Sequence, residues 1–130
     1  MALKMTFKDL CDDAKTRIRE VEPEEVLARV RETGHDWRLI DVRENDEFRA
    51  GHVESALGIG RGVLEYHIAD VEPNTDREIV LYCRGGNRSA LAADSLQRMG
   101  YTNVLSMAGG WKAWEAKGLP VNHEGEPIQH

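Results

Sequence analysis

The sequence predicts an α/β domain built on a mainly parallel sheet, and three observations carry that reading. Apolar runs of strand length alternate with segments at helical spacing along the whole chain. The run Glu78-Ile79-Val80-Leu81-Tyr82-Cys83 is almost continuously apolar, which suits a strand buried on both faces of a parallel sheet. No internal repeat or long linker interrupts the series, and 130 residues make one domain.

The elements follow in order. Residues 4–17 read as an N-terminal helix with Leu3, Phe7, Leu10, Ala14 and Ile18 as its apolar stripe. Ile18 to Val21 is a candidate edge strand. Pro23 suits the first turn of a helix running to about Glu32, with Val26, Leu27 and Val30 on one face and Gly34 as terminator. Arg38 to Val42 is a short β-rich run leading into a polar turn, and Ala56 to Ile59 is a weaker strand. After the Glu78–Cys83 strand, Ser89 to Met99 repeats Leu91, Ala92, Leu96 and Met99 at helical spacing and stops at Gly100. Asn103 to Met107 is a further strand. Gly110 to Lys117 is a last helix, closed by Gly118-Leu119-Pro120. The polar tail after Val121 is expected to fray. This divides the chain into a helical extension (1–17), a core domain (18–121) and a tail (122–130).

Composition narrows the function. At 41% apolar residues the chain can build a core, and its length is enough to bury about two-thirds of the unfolded surface. Asp and Glu number 23 against 17 Lys and Arg, a formal charge of −6. Nonspecific nucleic-acid binding, which needs a basic face, is disfavoured. A single local anion site is not, because local charge can oppose net charge. Two cysteines are too few for a disulfide scaffold, so a reducing, cytoplasmic setting is expected. No stretch approaches a membrane span or a secretory signal.

The segment Cys83-Arg84-Gly85-Gly86-Asn87-Arg88-Ser89 concentrates the chemistry. A buried strand ends at Cys83 and a helix begins a few residues later. Ligands bind at such carboxyl ends in open α/β sheets. Gly85 and Gly86 let successive N–H groups turn inward as an anion nest. The helix N-terminus adds partial positive charge, and Arg84 and Arg88 add two full ones. These features favour thiolate over thiol, so Cys83 is expected to be a nucleophile without a neighbouring histidine. Cys11 lies among Asp12 and Asp13, which work against a thiolate, and is expected to have no chemical role.

This loop resembles the active-site loop of the rhodanese sulfurtransferases. Two further motifs extend the resemblance from about Val21 to Val121. One runs Leu39-Ile40-Asp41-Val42-Arg43-Glu44, then Glu47-Phe48, then Gly51-His52-Val53-Glu54-Ser55-Ala56. The other is Gly109-Gly110-Trp111-Lys112-Ala113-Trp114 followed by Gly118-Leu119-Pro120-Val121. The resemblance implies a five-stranded parallel sheet with helices on both faces. It also implies double displacement: Cys83 takes the outer sulfur of an anionic donor such as thiosulfate, becomes a persulfide, and passes the sulfur to a thiol or protein acceptor. Arg84, Gly85, Gly86, Asn87, Arg88 and Ser89 would hold the anion, with no metal or organic cofactor. Where many relatives carry prolines, this chain has Glu54-Ser55 and Ile59-Gly60, so the turn before Arg61-Gly62-Val63-Leu64-Glu65 is expected to be softer, with donor specificity affected.

Asp41, Arg61 and Trp111 are candidates for the pocket rim, although an Asp41–Arg43 ion pair involving Glu47 suits a structural role better. His52, between Gly51 and Val53, reads as a hydrogen-bonded structural histidine. The remaining histidines lack metal-ligand spacing. Three readings compete with a sulfurtransferase. A cysteine phosphatase or arsenate reductase uses similar groups, but the phosphatase pattern has five residues between cysteine and arginine, against four here. A non-catalytic interaction domain would not need Cys83. A dedicated sulfur relay would share the chemistry and differ only in its acceptor.

Overall fold

A computed structural model describes residues 2–32 and 36–129. The predicted terminator Gly34 lies outside the described residues. Five strands, β1 (Arg19–Val21), β2 (Trp37–Asp41), β3 (Leu57–Gly58), β4 (Glu78–Tyr82) and β5 (Val104–Met107), form one sheet in the order β1-β5-β4-β2-β3. Every pairing is parallel. The two most apolar strands, β4 and β5, sit inside the sheet with β2, between the edge strands β1 and β3.

Alternation along β4 sorts its side chains between two cores. Ile79, Leu81 and then Cys83 face α4 (Leu64–Val71) and α5 (Asn87–Met99), meeting Leu64, Ile68, Ala92, Ala93 and Leu96. Val80 and Tyr82 face α2 (Pro23–Arg31) and α6 (Gly110–Ala116), meeting Val26, Trp111 and Trp114. Cys83 is therefore delivered on the α5 side of the sheet at its carboxyl edge.

Several expectations are corrected. The helical extension is α1 (Phe7–Lys15), started by a reciprocal capping box between Thr6 and Asp9. Its buried face is Cys11 and Ala14, whereas Leu3, Phe7 and Leu10 of the predicted stripe are exposed. Small residues let α1 lie close against α5. Arg17 then clamps the pair with two bonds to the Asp94 carboxylate, 3.0 and 2.8 Å long.

The polar turn after β2 contains a helix, α3 (Asn45–Ala50), with Glu44 and Glu47 as its capping box. Directly after the turn expected to be softer, Arg61 to Glu65 form one 3₁₀ turn (Arg61–Val63) running into α4. The Arg61 N–H bonds the Val42 carbonyl at 2.9 Å, and Leu64 and Ile68 are fully buried. Nor does the tail fray. Asn122 and His52 exchange backbone bonds of 2.9 and 2.8 Å. The Ile128 N–H reaches the Gly58 carbonyl at 2.7 Å, and Pro127 is buried, so the tail covers the β3 edge. Among the described residues no helix is long and apolar enough to cross a membrane.

Candidate active site

The chain leaves β4 at Cys83 and curls into α5 through Gly86, whose φ of +95° is a left-handed conformation that favours glycine. That turn aims the Gly86 N–H at the Cys83 sulfur, 3.1 Å away. Ser89, on the first turn of α5, places its hydroxyl 3.4 Å from the same sulfur. The positive end of the α5 dipole adds to both. Negative charge on this sulfur is thus met by a backbone N–H, a hydroxyl group and a helix terminus.

The Gly109-Gly110 motif explains how the loop is held open. The N–H groups of Trp111 and Lys112 donate to the carbonyls of Cys83 and Arg84 at 2.8 and 2.9 Å. With no cis peptide among the described residues, the Arg84 and Gly85 N–H groups point the opposite way, away from α6. This contact requires Gly110. A Cβ there would overlap the Cys83 carbonyl oxygen and lie 2.8 Å from the Arg84 carbonyl carbon, and φ is already +56°.

A cleft of about 250 Å³ opens over the sulfur, lined by Phe7, Cys83, Arg84, Gly85, Asn87, Arg88 and Lys112. Cys83 itself is only 1% exposed, so a reactant must approach through this opening. Arg88 is drawn 3.6 Å from Glu47, and Lys15 of α1 donates to the Asn87 side chain at 3.0 Å. Among the described residues Arg84 and Lys112 have no ion-pair partner. A chain of net charge −6 therefore gathers four cations around one cysteine, which suits an anionic ligand.

Of the residues expected to hold the anion, Arg84, Gly85, Asn87 and Arg88 line the cleft, while Gly86 and Ser89 lie beneath it against the sulfur. The three rim candidates are placed elsewhere. Asp41 is fully buried and receives Arg43 through both carboxylate oxygens, at 2.7 to 3.1 Å. Arg43 also donates to the Gly51 carbonyl at 2.6 Å and lies 4.6 Å above the Trp111 ring. Burial works against the charge on Arg43, but Asp41 outweighs it and holds the guanidinium above its ordinary range. This pair ties the β2 end to the loop before Val53, and Glu47 serves Arg88 and the α3 cap instead. Arg61 is turned to Glu65 and Ser95. Trp111 is walled into the core at 7% exposure. His52 stacks on Phe48 at 3.7 Å and bonds its carbonyl, outside the cleft.

Two lining residues escape a reading of the sequence. Lys112 stands inside the Gly-Gly-Trp motif and could have been found there. Phe7 comes from α1, and no local signal links it to a cysteine 76 residues away. Cys11, one turn after Phe7, is buried, and its thiol is pushed up chiefly by that burial. Among the described residues no cluster of His, Cys, Asp or Glu could hold a metal ion.

Comparison with known proteins agrees with this geometry. Residues 22–117 match the rhodanese-like domain model. A sulfurtransferase of Allochromatium vinosum is 33% identical over 104 residues, covering 80% of this chain and 94% of that one. A putative mitochondrial thiosulfate sulfurtransferase of Schizosaccharomyces pombe is 37% identical over 90 residues, covering 61% of this chain and 63% of its own length. The chain thus spans nearly all of the first relative and less than two-thirds of the second. Among solved structures, a Rhodopseudomonas palustris protein of unknown function, named a possible tyrosine phosphatase, superposes with a TM-score of 0.83 at 30% identity, over 94% of this chain and 98% of that one.

Proposed function

From the premise that this chain belongs to the rhodanese-like domain family, we propose that it is a sulfurtransferase whose Cys83 carries sulfane sulfur from a small anionic donor, such as thiosulfate, to a thiophilic acceptor. The sulfurtransferases among its relatives support the class of reaction. The observation that carries the assignment to Cys83 is the Gly86 N–H held 3.1 Å from its sulfur beneath a cationic cleft.

The chemistry proceeds in two displacements. The Cys83 thiolate attacks the outer sulfur of thiosulfate. The S–S bond of the donor breaks, sulfite leaves with the bonding pair, and a persulfide anion remains on Cys83. The negative charge moves outward to the terminal sulfur, into the cleft that Arg84 and Gly85 line. A thiolate acceptor, or cyanide in an assay, then attacks the terminal sulfur. Cys83 leaves as thiolate, and the acceptor departs as a persulfide or thiocyanate. Whether the thiol belongs to a small molecule or a protein, the chemistry at Cys83 is the same.

A phosphatase reading draws on the Rhodopseudomonas palustris neighbour. It is opposed by the loop itself. Four residues separate Cys83 from Arg88, so the nest is shorter than the phosphatase pattern, and Arg88 is drawn towards Glu47.

Intact mass before and after thiosulfate, with Cys83→Ser beside it, tests the proposal. The expected result is a gain of one sulfur in the wild type alone, removed by cyanide. Cys83→Ser is expected to fold normally and to lose all sulfur transfer. No gain with either thiosulfate or a polysulfide would remove the persulfide mechanism, and turnover of p-nitrophenyl phosphate would favour the phosphatase instead.

A further inference from the structure

Strand β5 reads Val104-Leu105-Ser106-Met107, and its one polar side chain is fully buried. A buried hydroxyl is costly unless it is bonded. Among the described residues, the only side-chain partner of Ser106 is Ser89, 2.8 Å away. Ser89 is equally buried and stands 3.4 Å from the Cys83 sulfur. The three side chains form a line from β5 through α5 to the reactive atom. We propose that Ser106 is a positioning residue for the reaction: it fixes the Ser89 hydroxyl as a donor to Cys83 and so favours the thiolate.

Proton counting gives the line a direction. A hydroxyl has one hydrogen to donate. A thiolate accepts only, so when Cys83 is ionised Ser89 must give its hydrogen to the sulfur. The 2.8 Å contact then survives only if Ser106 donates to Ser89. Both dipoles point at the sulfur, and each strengthens the other. When Cys83 is a thiol the line has no obligatory direction, so the stabilisation belongs to the ionised form. On the proposed sulfur-transfer reading the same line acts twice. It supports the attacking thiolate, and it supports Cys83 as the leaving group when the acceptor takes the terminal sulfur.

Other charged groups around Cys83 are independent of Ser106. Arg84 follows it directly, Arg88 with Glu47 lies at the start of α5, Lys112 comes from α6, and Lys15 comes from α1 through Asn87. The buried thiol of Cys11 faces it from α1, and the Asp41–Arg43 pair closes the end of β2. All of these persist in a Ser106 variant, so a change in pH response reports the hydroxyl line alone.

The test is the ratio of Cys83 alkylation rates by iodoacetamide at about pH 6 and about pH 9, read by peptide mapping, with circular dichroism confirming that each variant is folded at both pH values. Ser106→Ala is expected to slow alkylation about three- to tenfold at the lower pH and to converge with the wild type at the higher. Ser106→Thr, which keeps the hydroxyl, is expected to retain the wild-type ratio. An unchanged ratio in Ser106→Ala overturns the proposal, and so does an equal loss in both variants, which would mark a packing defect. Alkylation needs no sulfur donor. Failure to form a persulfide would therefore count against the sulfurtransferase reading and leave this result standing.

Discussion

The two ends of the sheet treat charge in opposite ways. At the amino ends of β2 and β4, Glu72 is 2% exposed and saturated. Arg38 donates to one carboxylate oxygen at 3.0 Å and Arg77 lies 2.8 Å from it, while the Asn74 N–H bonds the other at 3.1 Å. The Tyr101 hydroxyl even donates to the Glu72 backbone carbonyl. At the carboxyl ends, Arg84 and Lys112 border a cleft with no ion-pair partner among the described residues. Both ends gather arginines. At the amino end the chain supplies the anion for each, so the charges hold the fold together; at the carboxyl end Asp41 and Glu47 take up Arg43 and Arg88, while Arg84 and Lys112 have no carboxylate partner among the described residues and are available to a ligand. The same side-chain chemistry becomes stability or function according to whether the fold supplies the partner.

The most severe way to break this contrast is Gly110→Ala, which attacks the backbone that keeps the carboxyl end open. The added Cβ meets the Cys83 and Arg84 backbone and sits at positive φ. The expected cost is about 2–5 kcal/mol in unfolding free energy, from left-handed strain plus overpacking. Activity should fall with it, because α6 can no longer hold the loop carbonyls. Denaturant unfolding and a thiocyanate assay check both, and wild-type stability would show that the close approach is not needed.

Arg84→Ala removes an unpaired charge and should leave the melting temperature alone. For anionic donors it should lower kcat/KM by about 1.5–3 kcal/mol, the range for a hydrogen bond to a charged group. A donor dependence identical to wild type would place this side chain outside the site. Glu72→Gln makes the opposite pattern: unchanged donor kinetics, but about 1–2 kcal/mol less stability at neutral pH, a modest value because both arginines reach solvent. Burial raises the Glu72 carboxyl, but Asn74, Arg38 and Arg77 together hold it below the ordinary range. Its contribution is therefore present above the usual carboxylate range and lost as pH falls through the lowered one. Thermal unfolding of wild type and variant should differ at neutral pH and converge in acid. Parallel curves at every pH would dismiss the charge as the cause.

What the sequence discloses follows the same division. The continuous run of β4, the glycines after Cys83 and the arginines beside it are local, so the strand, the loop and the expected nucleophile are all readable. The parallel sheet and its five strand candidates are readable from the alternation; the order β1-β5-β4-β2-β3 is not, because it depends on pairings between segments far apart in the chain. Helix α4 is not, because it buries only Leu64 and Ile68, one turn apart, which makes no periodic pattern. Helix α3 is six residues long and held by its capping box. Tail docking is made by backbone bonds from Asn122 and Ile128, which leave no trace in side-chain identity. Phe7 reaches the cleft only because Cys11 and Ala14 are small enough for α1 to dock. Ser106 did leave a signal, a lone hydroxyl in an apolar strand, but its meaning depends on α5 bringing Ser89 within 2.8 Å.

The finest test of the contrast lies between the two cysteines. Both are 1% exposed, and they sit on adjoining elements. Burial alone would make them alike. Cys83 differs by what its sulfur receives, a backbone N–H and a hydroxyl, whereas burial pushes the Cys11 thiol up, outweighing an opposing pull from Lys15, with Asp12 adding a lesser push. Cys11 should therefore remain a thiol at neutral pH. Iodoacetamide followed by peptide mapping is expected to label Cys83 and spare Cys11. Cys11→Ser should keep sulfur transfer near wild type and cost less than about 1–2 kcal/mol of stability, the scale for burying a hydroxyl in place of a small apolar group. A large loss of rate with the fold intact would show instead that α1 contributes chemistry as well as a wall, and that the open end of the sheet extends beyond the loop after β4.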